Sequence, residues 1–439
     1  MNSSPPPEVT SPSRRPHKLF VRENLLPFVL VTALFFLWGI PNNLNDVLIR
    51  QFMKSFEITR FKAGLIQSAF YMGYFLFSMP AALVMRRFGY KAGLVTGLLL
   101  YACGTLLFWP AAVAGAYGFF LCALFVIASG LAFLETGANP FIAQLGDQES
   151  SERRLNFSQA FNPLGAICGV LIGTAFIFSG IELTPHQVAA MKAGGALNAY
   201  LRQETMRVIT PYLVLGAVVF LWALLIMRTR FPKVAGETAS HTAGEHGSFR
   251  ELLGYPHFLL AVIAQFFYVG AQVGTWSYFI QYVQDYTHQP EKVAGYFLSG
   301  TLVAFGVGRF SSTWIMQFIR PNLLMGLYSL ANVLLVAVGV ALPGWIGLWA
   351  IFLTSFFMSL MFPTIFALGI KGLGRNTKIG GSLIVMAIVG GAVFTPIMGL
   401  IAEATRSMAM AMLVPLVCYL FIAYYGFIGS RVRVSRPTA

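Results

Sequence analysis

Apolar stretches of about twenty residues follow one another along most of the chain, separated by short polar breaks. Runs of this length are what a helix needs to cross a bilayer. They fall near 26–49, 62–84, 92–113, 116–144, 157–180, 209–229, 257–284, 294–318, 322–342, 346–370, 380–402 and 408–429. Backbone polar groups in lipid must pair internally, so each run predicts a helix. The strict alternation of an outer-membrane barrel is absent. The fold class is an all-α polytopic membrane protein with twelve transmembrane helices.

Composition supports this reading. The chain has 439 residues, of which 57% are hydrophobic and 10% charged, with a mean hydropathy of +0.70. Soluble domains carry roughly a quarter charged residues. The start, "MNSSPPPEVTSPSRRPHKLF", is rich in Pro and Ser and reads as a disordered tail without a signal peptide.

The net charge of +14 is distributed unevenly. An even number of helices puts both termini on one side. If that side is cytoplasmic, about 20 of the 30 Lys and Arg residues fall there. They include Arg86, Arg87, Lys91, Arg153, Arg154, Lys371, Arg375, Lys378, Arg431 and Arg433. The bias fits the positive-inside rule and contact with anionic lipid. No basic patch is interleaved with stacking aromatics, so no nucleic-acid partner is expected. Cys103, Cys122, Cys168 and Cys418 lie in apolar runs without metal-ligand spacing and read as packing residues. His241 and His246 stand in a polar loop without a nearby Cys. Neither metal nor cofactor is expected.

The longest internal polar break, "FPKVAGETASHTAGEHGSFR" at 231–250, divides the helices six and six. Related strings recur on either side of it. "NPFIAQLG" at 139–146 answers to "FPTIFALG" at 362–369, and "FFLWG" at 35–39 to "FFYVG" at 266–270. Gly165 and Gly173 answer to Gly391 and Gly399. This predicts a duplicated six-helix unit. The boundaries are a tail at 1–24, one bundle at 25–230, a linker at 231–254, a second bundle at 255–430 and a tail at 431–439. Two parallel six-helix halves around a midplane site are the plan of major facilitator transporters. "ALVMRRFGYKAG" at 82–93 resembles that superfamily's loop signature at Arg87, Gly89 and Lys91. Arg86 stands where the signature has an acid, which casts doubt on a gating salt bridge there.

Two carboxylates lie well inside apolar runs: Asp46, and Glu135 in "GLAFLETGANPF". A charge at the bilayer centre costs roughly 2.5–3.5 kcal/mol on insertion scales, so function is the default reading. Helical spacing gives each acid companions. Trp38, Asn42 and Asp46 recur at every fourth position, with Asn43 beside them, and Pro41 interrupts the hydrogen bonding of that helix. Glu135 and Asn139 share a face, as do Gln159 and Asn162. Gln265, Tyr268, Gln272, Thr275 and Trp276 form one stripe. In the repeat plan, helices 1, 4, 7 and 10 line the cavity and helix 5 flanks it. Amides both donate and accept, and aromatic faces stack on sugar C–H faces, so such a lining suits a polyol.

Amides also tie membrane helices together, at about 0.6 kcal/mol each, and that reading is favoured for Gln265 and Thr275. Arg309, toward the end of helix 8, reads as interfacial or structural. A buried carboxyl without a cationic partner can exist charged or neutral near working pH. The candidate proton-coupling residues are therefore Asp46 and Glu135. The candidate sugar-binding residues are Trp38, Asn42, Asn43, Glu135, Asn139, Gln159, Asn162, Tyr268, Gln272 and Trp276.

"FFLWGIPNNLNDVLI", "AGLIQSAFYMGYFLFSMPA", "LETGANPF" and "SQAFNPLGA" resemble the fucose–galactose–glucose symporter family. "YVGAQVGTWSY", "PTIFALGIKGLG" and "IVMAIVGGAVFTPIMG" extend the likeness, which covers about 25–430. The resemblance implies functional acids at Asp46 and Glu135 and sugar-site amides at Gln159 and Asn162. It further implies uptake of L-fucose or a related hexose with a proton, across an inner membrane. Sodium-coupled or facilitative glucose and galactose transport is an alternative. A cation exporter or a transport-dead sugar sensor represents a different class. No Ser-His-Asp order, phosphate loop or metal spacing suggests an enzyme. Analogy with the fold implies a functional monomer.

Overall fold

The computed structural model describes residues 24–145, 157–232, 249–316, 318–373 and 376–431. Twelve helices among them are long and apolar enough to cross a membrane. They are α1 (Leu25–Ser55), α2 (Arg60–Met85), α3 (Arg87–Ala114), α4 (Tyr117–Asn139), α5 (Phe157–Ile177) and α6 (Leu197–Arg228) in the first half. The second half has α7 (Pro256–Thr287), α8 (Glu291–Ile315), α9 (Pro321–Ala341), α10 (Trp345–Ile370), α11 (Leu383–Thr405) and α12 (Met408–Gly429). Each half is a six-helix bundle. Most of the predicted tails and linker, with Arg153, Arg154, His241, His246, Arg375 and Arg433, lies outside the described residues, as do the side chains of Arg86 and Lys378.

The duplication is visible in the packing. α1 and α5 meet backbone to backbone: a Cβ added at Gly165 would stand 2.1 Å from the Phe36 carbonyl oxygen. The related pair, α7 and α11, meets the same way, with 2.0 Å from Gly390 to the Phe266 carbonyl oxygen. Close approach of this kind lets helices associate in lipid, where no hydrophobic driving force exists between them.

The 82–93 loop acts within its own half. Gly89, at φ 83° and ψ 166°, breaks the helix between α2 and α3 in a conformation that strains other residues. Lys91 Nζ donates to the carbonyl oxygens of Met227 and Thr229, both at 2.9 Å, and so caps the end of α6.

One boundary is corrected. The sixth helix was expected over 209–229, but the span starts at Leu197, with the ten-residue helix Leu197–Met206 joined to Ile209–Arg228. "LNAYLRQETM" is too polar to read as a membrane segment. It is helical because its polar side chains find partners: Gln51 Nε2 donates to Glu204 at 3.2 Å and to its carbonyl oxygen at 2.8 Å.

Candidate functional site

A cavity of about 670 Å³ lies between the two halves, within the size range of small-molecule sites. It opens on the face where α1 begins and α12 ends. Thr313, Met316, Pro321 and Lys371, at helix ends on that face, line its mouth. Asp46, Gln67 and Trp276 line its depth.

The opposite face is sealed by contacts that cross between the halves. Lys54 Nζ, at the end of α1, lies 3.2 Å from Glu291 of α8 and 3.2 Å from Glu204 of α6. It also donates to Ser179 at 2.9 Å and to the Ile181 carbonyl oxygen at 2.7 Å. Arg60 pairs with Asp285 at 2.5 Å, and Gln284 donates to Glu182 at 2.5 Å. The Tyr278 hydroxyl donates to the Arg60 carbonyl oxygen at 2.7 Å, and the Phe61 amide to Glu403 at 2.5 Å. Sequence reading placed only Asp46 and Glu135 deep in apolar spans. Glu204 and Glu291 are buried as well, because a single ammonium serves both.

Trp38, Asn42, Asn43, Asp46, Glu135, Asn139, Gln159, Asn162, Tyr268, Gln272 and Trp276 all line the cavity. Their neighbours differ in kind. Gln159 Nε2 donates to Asn139 Oδ1 at 3.2 Å, and Asn139 donates to the Glu135 carbonyl oxygen at 3.0 Å. Asn162 Nδ2 reaches the Phe35 carbonyl oxygen at 3.3 Å. These amides join helices as well as facing the cavity. Trp276 Nε1 donates to Ser355 Oγ at 3.0 Å, which fixes the indole between α7 and α10. Gln265 and Thr275, expected to tie helix to helix, are buried and do not line the cavity, but among the described residues neither side chain has a hydrogen-bond partner.

The two acids sit in different surroundings. Asp46 Oδ1 accepts from Gln67 Nε2 and from Ser277 Oγ, each at 2.9 Å. Among the described residues, no hydrogen bond or ion pair reaches the Glu135 carboxylate, which is half-buried against the cavity. One acid is held and the other is free to meet a ligand.

Two expectations need correction. The lining extends beyond helices 1, 4, 5, 7 and 10: α2 adds Gln67, Tyr71 and Tyr74, and α8 and α11 contribute too. The spacing of Gln67, Tyr71 and Tyr74 at i, i+4, i+7 could have revealed that face. Arg309 is also a cavity residue. Its guanidinium lies 4.9 Å from the Phe305 ring centroid, and its Nε donates to the Ser359 carbonyl oxygen at 3.4 Å. Phe305 and Arg309 stand one turn apart on the inward face of α8, so the side chain does not run out to the membrane surface. The acids thus face the cavity from the first half, and Arg309 and Lys371 from the second.

Residues 28–378 match the family model of the Major Facilitator Superfamily. The chain belongs to that superfamily. Within this family of transporters, the chain is 44% identical over 422 residues to the L-fucose-proton symporter of Escherichia coli, covering 95% of each. It is 35% identical over 412 residues to the glucose/galactose transporter of Brucella abortus, covering 91% of this chain and 93% of that one. A crystal structure of the major facilitator transporter FucP in the outward conformation aligns with a TM-score of 0.70 at 43% identity, covering 93% of this chain and 100% of that one. The central cavity is accordingly that of a major facilitator, between two six-helix halves.

Proposed function

We propose that this protein takes up L-fucose or a closely related hexose together with a proton, by alternating access. The observation that carries the reading is the cavity itself. It combines two carboxylates, seven amides and two indoles on residues of both halves, open at one face and closed at the other. The likeness to the L-fucose-proton symporter of E. coli supports the same substrate class.

Each group has a role the chemistry supports. Trp38 and Trp276 offer faces to sugar C–H groups. Asn42, Asn43, Asn139, Gln159, Asn162 and Gln272 supply donors and acceptors, and an unpaired buried hydroxyl would cost about 1–3 kcal/mol. The free Glu135 carboxylate accepts a sugar hydroxyl when charged. Asp46 and Glu135 carry the coupling proton. Protonation removes charge from the cavity, the loaded halves rock, and lower proton activity inside releases both cargoes. The open state then faces the cytoplasm, with both termini, the tails 1–24 and 431–439 and the linker 231–254 on that side of an inner membrane. The working unit is the monomer.

The 35% identity to a glucose/galactose transporter favours a second reading, in which the hexose is glucose or galactose. Proteoliposomes separate the two. Under an imposed proton gradient, L-fucose is expected to accumulate and D-glucose not to. Accumulation of glucose or galactose instead would establish the second reading. Accumulation under a sodium gradient alone would overturn proton coupling.

A further inference from the structure

Among the described residues, Asp46 is the one cavity acid with a side-chain hydrogen bond that crosses between the halves. It belongs to α1, Gln67 to α2 and Ser277 to α7. Ser277 Oγ lies 2.9 Å from Asp46 Oδ1 and 2.9 Å from Gln67 Nε2, and Gln67 Nε2 lies 2.9 Å from Asp46 Oδ1. All three residues are buried, at 0%, 1% and 3% exposure for Ser277, Gln67 and Asp46. Ser277 is not among the residues lining the cavity, so direct contact with sugar is not its role.

We propose that Ser277 is a positioning residue through which the second half couples closure of the sealed face to departure of the proton from Asp46. The inference rests on the proton-symport reading above. Its physical basis is the direction of the bonds. Both donors point at Oδ1, and no hydrogen bond reaches Oδ2 among the described residues. A proton can therefore sit on Oδ2 with the cluster intact. A hydrogen bond donated to a charged carboxylate is stronger than one to a neutral acid. Ser277 comes with the opposite half, so it gives this extra stabilisation only when the halves meet at this level. A group that binds one state preferentially shifts the balance toward that state. Closing the sealed face and losing the proton to the open cavity thus assist each other. Gln67 comes from the same half as Asp46 and keeps the carboxylate in register.

Other titratable groups line the same cavity: Tyr71 and Tyr74 from α2, Glu135 from α4, Tyr268 from α7, Arg309 from α8 and Lys371 at the end of α10. None of them is hydrogen-bonded to Asp46, so loss of the Ser277 donor acts at Asp46 directly.

The test compares net uptake with counterflow in proteoliposomes. Net uptake requires the proton to leave on the inside, whereas counterflow can exchange sugar without releasing it. Ser277→Ala should lower proton-driven net L-fucose uptake about five-fold, the difference between a charge-assisted and a neutral hydrogen bond. Counterflow should keep its wild-type rate. Raising the internal pH should restore net uptake, because it substitutes for the lost donor in drawing off the proton. Ser277→Thr keeps the donor and should behave as wild type. If the alanine protein fails to reach the membrane, Ser277→Cys, a weaker donor of similar size, should show the same split to a smaller degree. Parallel loss of counterflow and net uptake would overturn the proposal, as would unchanged net uptake or no rescue by internal alkalinity. Wild-type protein that moves sugar without protons would overturn the symport reading itself, before any variant is compared.

Discussion

Lys54 is the perturbation with the largest expected effect on the equilibrium between the two faces. Its ammonium, 12% exposed, lies between Glu204 at 4% and Glu291 at 0% side-chain exposure. Replacing Lys54 by Met leaves two carboxylates in the sealed face without their cation. Removing one partner of a buried ion pair costs about 3–5 kcal/mol. The residual exposure of Lys54 argues for the lower end, about 3 kcal/mol. This cost falls on the sealed arrangement, since Glu291 regains water when the second half swings away. At 1.4 kcal/mol per factor of ten, the population open at the other face should rise about a hundred-fold. The assay is thiol labelling of Gln272→Cys, in a background lacking the four native cysteines, with a membrane-impermeant maleimide added at the face that Lys54 seals. Lys54→Met should label far faster than the parent. Adding Glu204→Gln and Glu291→Gln should return the rate toward the parent value, because a neutral cluster no longer penalises closure. Equal labelling rates with and without Lys54 would refute the reasoning.

Further outcomes follow from the same geometry. Asp46→Asn and Glu135→Gln should each abolish uphill sugar accumulation, and normal accumulation in both would contradict their proton-carrying role. Trp38→Ala should weaken sugar binding by roughly 1 kcal/mol, about five-fold in KM, through loss of an aromatic face; an unchanged KM would remove Trp38 from the binding site. Gly165→Ala forces a methyl group to within 2.1 Å of the Phe36 carbonyl oxygen. Overpacking costs about 1–3 kcal/mol, so its melting temperature in detergent should fall, and an unchanged value would contradict the close α1–α5 contact.

The sequence carries some parts of this picture more plainly than others. Membrane helices declare themselves because lipid forces both helicity and apolar composition on the same residues, and the acids Asp46 and Glu135 stand out against that background. Side chains that share a helix face, such as Trp38, Asn42 and Asp46, follow from the helical period. Contacts between helices leave no such trace. Ser277 lies 231 positions from Asp46, and nothing local to "GTWSYF" marks it as the donor to a carboxylate. Glu291 begins α8 and Glu204 lies in the polar opening stretch of α6, where a sequence reads as wet; only the fold brings Lys54 between them. Arg309 is legible only in part: its Nε ties α8 to the Ser359 carbonyl oxygen, as a structural arginine would, but nothing in the sequence marks its face of α8 as the one turned to the cavity. A basic residue near a helix end is ordinarily interfacial, and it is the one-turn spacing from Phe305 that directs it to the cavity.

In the symport reading, sugar and proton move together through this cavity. The most direct measurement is the pH outside unbuffered cells that lack their own hexose carriers and express this protein, as L-fucose, D-galactose and D-glucose are added in turn. External pH should rise on addition of L-fucose, and Glu135→Gln cells should give no such rise. Entry of labelled L-fucose with no pH change would contradict proton coupling and remove the role given to Asp46 and Glu135.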